Sequence, residues 1–154
     1  METKYNMTPE QLLHLSLGIP DLDSQHSELI TSFVGIENAI KQGNFQEIPA
    51  RLFNVKQLTL THFLTEEKLM DEIGFPDSVK HKKDHLAILE LLDSVTAMPH
   101  VKATTAITQH ALYLTIISHL KIYDLELANF YHNQETFKCS RFQNRKHKEN
   151  VTPT

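Results

Sequence analysis

The chain has 154 residues, of which 40% are hydrophobic and 22% charged, and its net charge is −4 with histidine neutral. This balance is that of an ordinary soluble domain with a sizeable core, and it gives no indication of nucleic acid or an anionic membrane as a partner. Four glycines and six prolines are too few for a loop-rich or sandwich fold. The single cysteine, Cys139, excludes an internal disulfide and fits a reducing compartment.

Neither a membrane span nor a signal peptide is predicted. No stretch of the sequence approaches the roughly 20 apolar residues that a spanning helix needs. The N-terminal segment carries Glu2, Glu10 and His14, so it lacks the continuous apolar core of a signal peptide. We therefore expect one cytoplasmic domain, with residues 1–22 forming an N-terminal arm.

Start and stop signals along the chain predict four helices, of which the first two lie in the N-terminal half. The first helix is expected to begin at a cap formed by Asp23 or Ser24 and to end near Gly43. The second is expected to run from about Gln46 to Gly74. In both, apolar residues recur at alternating spacings of three and four, which predicts one buried face per helix.

The third and fourth helices follow in the same way. Asp77 or Ser78 is expected to cap the third, which ends before Pro99 because proline cannot continue a helix. The fourth is expected to run from about Lys102 to about Phe130. The remaining segment, 132–154, is polar and basic and is expected to form a flexible tail.

Short connections between four helices favour an up-down-up-down four-helix bundle, an all-α fold, over residues 23–131. Seven polar residues on the apolar stripes provide an independent check of this topology. Helices one and three carry these polar residues in their first turns, whereas helices two and four carry them in their later parts. Because helix direction alternates in such a bundle, all seven lie at one level. The seven are His26, His62, Glu66, His81, His85, His119 and Asp124.

Seven polar side chains on a buried stripe are costly unless something satisfies them. Imidazole and carboxylate groups are metal ligands, and five histidines with two carboxylates suit two ions rather than one. A site without thiolate points to iron, although zinc and manganese are compatible with the spacing. Two six-coordinate ions would still lack ligands, which predicts a solvent-derived bridge and an open position for a small molecule.

One spacing does not fit a regular helix. Residues four apart share a helical face, as His62 and Glu66 do and as His81 and His85 do. His119 and Asp124 are five apart, which places them on different faces of an α-helix. A π-type turn, whose hydrogen bonds span five residues, would realign them, and we predict such a turn between them.

The combined pattern resembles the hemerythrin family, and most closely its bacterial single-domain members, over about residues 18–130. This resemblance implies a non-haem di-iron site that binds O2 reversibly. It further implies that His81, His85 and His119 hold one iron and that His26 and His62 hold the other, open iron. Glu66 and Asp124 would bridge the two ions together with a solvent-derived oxygen. The matching segments are 18–26, 62–70, 74–76, 81–85 and 119–124.

The chain departs from the family at the tryptophans that members often carry, because it contains none. Thr115 stands where a tryptophan is frequent, and Ile116 stands where leucine is usual. Together with Phe63 and Phe33, these two residues are the candidates for lining an O2 pocket. The changes leave the candidate ligands intact and affect the expected O2 affinity and oxidation lifetime.

Other polar residues are expected to lie outside the set of ligands. We expect Glu67 to be a surface charge, with a role in supporting a ligand as the alternative, and Cys139 to be incidental. The remaining histidines lie in the arm, near helix starts or in the tail, and we expect them at the surface: His14, His100, His110, His132 and His147.

The leading functional hypothesis is therefore reversible O2 binding for carriage, storage or sensing, without a catalytic residue. One alternative is a di-iron enzyme that reduces nitric oxide or peroxide. Another is an O2- or redox-dependent signalling module that meets a protein partner through the arm or the tail. A monomer is expected.

Overall fold

Four long helices make up most of the structure, a computed structural model that describes residues 16–98 and 102–136. A short 3₁₀ turn, Phe45–Glu47, precedes the second helix. The described residues contain no strand, which confirms the predicted all-α four-helix bundle. The helices are α1 (Pro20–Gln42), α2 (Ile48–Ile73), α3 (Ser78–Thr96) and α4 (Lys102–His119).

The fourth helix does not stop at His119. It continues through a π-helical turn, Leu120–Asp124, and then as α-helix over 125–136. The end that we predicted near Phe130 is therefore too early, and helix replaces the expected tail as far as 136. Residues 137–154, which include Cys139, lie outside the described part of the chain.

The predicted ends of the first two helices are confirmed by the backbone at two glycines. Gly43 (φ 75°) and Gly74 (φ 65°) adopt the left-handed conformation that terminates many helices. In this conformation the Gly74 N–H donates to the Met70 carbonyl and satisfies one of the last acceptors of α2. A side chain other than glycine would be strained at both positions.

The predicted cap of the first helix is wrong, because α1 begins three residues before Asp23. Pro20 opens the helix, where its fixed φ is favourable and its missing N–H costs nothing. The Asp23 carboxylate instead accepts hydrogen bonds from Leu17 N (2.6 Å) and Gly18 N (3.1 Å). Asp23 thereby connects Leu17 and Gly18 to the first turn of α1.

The last residues of the expected arm pack on the extended fourth helix. Leu17 and Ile19 are buried with Leu22 and Ala128. His132 is exposed, as expected, and its Nε2 lies 2.7 Å from the Leu17 carbonyl oxygen. Residues 1–15 of the arm lie outside the described part of the chain.

Apolar layers lie on both sides of the seven polar residues. The larger one fills the far half of the bundle around Ile36, Leu52, Leu92 and Leu112. A smaller one, with Met70, Phe75 and Leu127, closes the near end. Helix α1 packs against α2 and α4, α2 against α3, and α3 against α4, so the polar residues are enclosed on all sides.

None of the described helices is both long enough and apolar enough to cross a bilayer.

Candidate metal centre

The seven predicted site residues lie together in the centre of the bundle. No member is more than 3% exposed. They form two sets in which one ligand atom from each residue lies within 4.8 Å of the others. We call these the three-histidine group (Glu66, His81, His85, His119) and the two-histidine group (His26, His62, Glu66, Asp124).

The ligand atoms face one another at distances that suit shared ions. The Nε2 atoms of His26 and His62 are 3.0 Å apart, and those of His81 and His119 are 3.2 Å apart. Two ligands at right angles, each about 2.1 Å from one ion, lie about 3 Å apart. Among the residues that the structure describes, Glu66 Oε1 is buried without a hydrogen-bond partner, as expected for an atom that a metal would satisfy. The residues therefore fit a metal cofactor.

Both carboxylates can reach ligands of both groups. Glu66 Oε2 lies 3.2 Å from His85 Nε2 and 3.6 Å from His62 Nε2. Asp124 Oδ1 lies 2.9 Å from His119 Nε2, and its Oδ2 lies 3.2 Å from His26 Nε2. Glu66 thus directs one oxygen, and Asp124 both of its oxygens, towards the space between the groups.

The π turn predicted between His119 and Asp124 is confirmed. It spans Leu120–Asp124, and the Leu125 N–H donates to the Leu120 carbonyl, five residues earlier. The extra residue in this turn brings His119 and Asp124 onto the same buried face. The unusual spacing in the sequence and the unusual backbone therefore have one cause, the need for two ligands from one helix.

Deleting Ile122 is expected to convert the π turn into regular α-helix without loss of metal. Its side chain is 51% exposed, and after the deletion Asp124 would follow His119 by four positions and keep the same face. Deleting Leu114, which is 42% exposed in the regular part of α4, is the matched control. It should rotate the residues before the deletion by about 100° relative to those after it and abolish metal binding. Elemental analysis measures the metal bound per chain, and equal metal content in the two deletion variants would contradict the prediction.

Three side chains outside the seven hold the candidate ligands in place. Each accepts a hydrogen bond from the Nδ1–H of a histidine, which directs Nε2 to the centre. The Gln25 oxygen is 3.1 Å from His62 Nδ1. The Glu67 and Asp84 carboxylates are 2.9 Å and 2.7 Å from the Nδ1 atoms of His85 and His119. We call these three residues, Gln25, Glu67 and Asp84, the outer partners.

The outer partners are the part of the site that the sequence analysis missed. Glu67 was expected to be a surface charge, and that expectation is wrong, because its carboxylate binds His85. Gln25 and Asp84 were not identified at all. The available signal was position: Gln25, Glu67 and Asp84 each adjoin a candidate ligand in sequence but contact a histidine on a different helix.

Without metal, two histidines of this cluster, His81 and His119, have a raised pKa. Burial alone would lower the pKa of His119, but hydrogen bonds and charge from Asp124, with Glu66 and Asp84, raise that pKa to about 10. The pKa of His81 is raised in the same way, against burial, by Asp124 and Glu66.

The two carboxylates shift in the opposite direction. Burial would raise the pKa of Asp124, yet hydrogen bonds and charge from His119, with His26 and His62, hold it well below its usual range. Burial and the charge of Asp124 would raise the pKa of Glu66, but His62, His119 and His81 lower it. The carboxylates are therefore ionised and ready to bind cations at neutral pH.

Metal binding at neutral pH is expected to release protons. Because the pKa of His119 is raised above 7, its imidazole is protonated in the metal-free protein and must lose that proton to become a ligand. Affinity should therefore rise with pH up to about 10, by about tenfold per pH unit for each proton released. Calorimetric titration in buffers of different ionisation enthalpy measures this release. A dissociation constant that is constant between pH 6 and pH 9 would contradict the expectation.

A small apolar cavity of about 20 Å³ adjoins the two-histidine group, with His26 and His62 in its wall. A cavity of this volume holds one small molecule. Three of the four residues predicted to line a pocket lie in its wall: Phe33, Phe63 and Ile116.

Thr115, the fourth predicted pocket residue, lies elsewhere. It lines a surface groove with Asp84, Ser118 and Tyr123, and its hydroxyl donates to the Ala111 carbonyl. Thr115 shares with His119 the side of α4 that faces Asp84 of α3. His119 lies in the walls of both the groove and the cavity, whereas Thr115 lines the groove alone, so the prediction for Thr115 is wrong.

The fold and the cluster define a class of protein: a four-helix bundle with a buried histidine and carboxylate site able to hold metal. Comparison with known proteins identifies similar sequences. The chain is 31% identical over 71 residues to a bacteriohemerythrin of Stenotrophomonas maltophilia, strain R551-3. Bacteriohemerythrins of Pseudomonas aeruginosa, strains LESB58 and UCBPP-PA14, match with the same identity over the same length. These relatives support the hemerythrin-like assignment that the motifs predicted.

The matched region is limited in extent. It covers 46% of this chain and 46% of each relative, so it spans slightly less than half the length of these curated proteins. No protein-family model matches the chain, and no solved structure does.

Proposed function

We propose that this protein binds two iron ions through the seven residues of the cluster and takes up O2 reversibly beside His26 and His62. Iron, when bound, supplies the electrons that O2 binding requires. In the proposal Glu66 and Asp124 bridge the ions, as the hemerythrin resemblance implies. The name of the relatives, bacteriohemerythrin, supports the same assignment.

The observation that carries the proposal is the unequal number of histidines in the two groups. If both carboxylates were shared, the residues would offer five protein ligands to an ion in the three-histidine group and four to an ion in the two-histidine group. The second ion is thus the one with room for an added molecule. The apolar cavity adjoins this group, with three of its members, His26, His62 and Asp124, in the wall, against His119 alone of the three-histidine group's histidines.

The chemistry of the cavity favours reversible binding over reduction of peroxide or nitric oxide. Those reductions consume protons, so an enzyme needs a proton donor near the bound molecule. Apart from the candidate ligands, the described residues of the wall are apolar except Thr59. The Thr59 hydroxyl donates to the Val55 carbonyl (2.8 Å), so its proton is already engaged. Phe33, Phe63 and Ile116 would exclude water from the bound molecule.

The test is to load the protein with Fe²⁺ under anaerobic conditions, mix it with O2, and follow the optical spectrum in a stopped-flow instrument. Reversible binding predicts a spectrum that returns to that of the reduced protein under vacuum. Immediate, irreversible oxidation with turnover of peroxide or nitric oxide would contradict the proposal and favour the enzyme.

Two matched variants on α4 test the position of the binding space. Ile116→Ala removes part of the cavity wall and is expected to admit water and speed irreversible oxidation, with iron content unchanged. Thr115→Ala alters the neighbouring residue outside the cavity and should leave the oxidation rate as it is. Equal rates in the two variants would place the O2 space elsewhere.

A further inference from the structure

The outer partners of the two groups of ligands differ in charge. In the three-histidine group, His85 and His119 each donate to a carboxylate, that of Glu67 and that of Asp84. In the two-histidine group, His62 donates to the neutral amide oxygen of Gln25. In the described part of the chain, the Nδ1 atoms of His26 in the two-histidine group and of His81 in the three-histidine group are both buried without a hydrogen-bond partner. The three-histidine group therefore has two carboxylate partners and the two-histidine group has none.

The Gln25 amide is fixed in its orientation. Its Nε2 donates to the Thr65 hydroxyl (3.0 Å), and that hydroxyl donates in turn to the Thr61 carbonyl (2.9 Å). The amide oxygen is thereby directed towards His62. Gln25 positions the imidazole as well as a carboxylate would, but it adds no negative charge.

A carboxylate on the distal nitrogen of an imidazole makes that imidazole a stronger ligand and adds a negative charge close to the ion. Glu67 and Asp84 are 31% and 32% exposed, so water screens their charges only in part. Lys82 lies near Glu67, but its ammonium group is hydrogen-bonded to Asp71 (2.9 Å). Two additional anionic groups therefore favour a cation in the three-histidine group over one in the two-histidine group.

Resting on the function proposed above, we propose that the two metal positions fill in a fixed order. The three-histidine group binds the first ion, and the two-histidine group binds the second. Glu67 and Asp84 set this order as positioning residues that act through His85 and His119. The ion beside the cavity is then the more weakly held of the two.

The order can be measured by titrating the metal-free protein with Co²⁺ alone, using calorimetry and the visible absorption of bound cobalt. Two steps are expected, with dissociation constants about 10- to 100-fold apart. His26→Ala should remove the weaker step and leave the tighter one. His85→Ala should weaken or remove the tighter step, and it provides an independent assignment if one of the two variants folds poorly.

The double variant Glu67→Gln with Asp84→Asn tests the cause of the order. It should weaken the first step by about 10- to 100-fold, change the second by less than about twofold, and so merge the two. Glu72→Gln with Asp93→Asn is the matched control, because it removes two carboxylates that are each 60% exposed from the same two helices and contacts no ligand histidine. The control should keep two separate steps.

Gln25→Glu is the reciprocal change, and it should tighten the second step because it places a carboxylate on His62. Equal effects of the double variant and its control, or a first ion that fills the two-histidine group, would overturn the proposal. These results do not depend on O2. Ordered cobalt binding in a protein that fails to bind O2 reversibly would refute the proposed function alone, and reversible O2 binding without ordered filling would refute the order alone.

Discussion

Replacing Glu66 with leucine is expected to abolish binding of both metal ions, whereas replacing His26 with alanine should abolish only one. Glu66 is the residue common to the two groups, and its carboxylate lies between them. Leucine has a similar volume and matches the apolar stripe of α2, so the helix should keep its packing. His26 belongs to the two-histidine group alone, which leaves the three-histidine group intact.

Iron per chain, measured on protein loaded under anaerobic conditions, should fall from about two to zero for Glu66→Leu and to about one for His26→Ala. His110→Ala is the control, because His110 is an exposed histidine on the same bundle and should have no effect. Two ions bound to Glu66→Leu, or none bound to His26→Ala with its helix content unchanged, would show that the groups are not the metal positions.

Removing the metal is expected to lower the thermal unfolding temperature by about 8–16 °C at neutral pH. An ion present at a thousand times its dissociation constant stabilises the fold by about 4 kcal/mol, and each kcal/mol corresponds to about 2–4 °C in a chain of this size. The physical reason is local: five imidazoles and two carboxylates would otherwise remain enclosed between apolar layers. Differential scanning calorimetry of the loaded and metal-free protein measures the difference.

The loss should depend on pH in a defined direction. The pKa of His119 is raised from 6.5 to about 10, so the stability that its proton gives the metal-free fold is complete below about 6.5 and disappears as pH rises towards 10. The loaded protein has no such proton to lose. The gap between the two unfolding temperatures should therefore be wider at pH 8.5 than at pH 6. Equal heat stability with and without metal would contradict the prediction.

Local signals in the sequence were sufficient for most of the architecture and for the candidate site. Gly43 and Gly74 ended helices as predicted because a left-handed residue is a requirement of the backbone at that point. The convergence of seven polar residues followed from helix order alone, since direction alternates in a bundle. The spacing between His119 and Asp124 even predicted the π turn, because two ligands on one helix must share a face.

The failures involve contacts between distant residues. Asp23 has the composition of a helix cap, but Pro20 already provides the start, and the carboxylate binds Leu17 and Gly18 instead. Glu67 contacts His85 on a different helix, and no pattern within α2 indicates that contact. Thr115 lines the groove while Ile116 lines the cavity, because neighbouring residues of an α-helix are about 100° apart around its axis. The rotation of each helix about its own axis is set by packing of the whole bundle, so no single segment of sequence determines it.

The outer partners also link the four helices in sequence. Gln25 of α1 holds His62 of α2, Glu67 of α2 holds His85 of α3, and Asp84 of α3 holds His119 of α4. No helix can move away at this level without breaking a partly buried hydrogen bond to its neighbour, so local opening of the backbone here involves the whole bundle. A small molecule must therefore reach the cavity through rotations of side chains such as Phe33 and Ile116, which are far faster than separation of helices. Entry to the cavity therefore requires only rotation of side chains, while the four helices stay packed together.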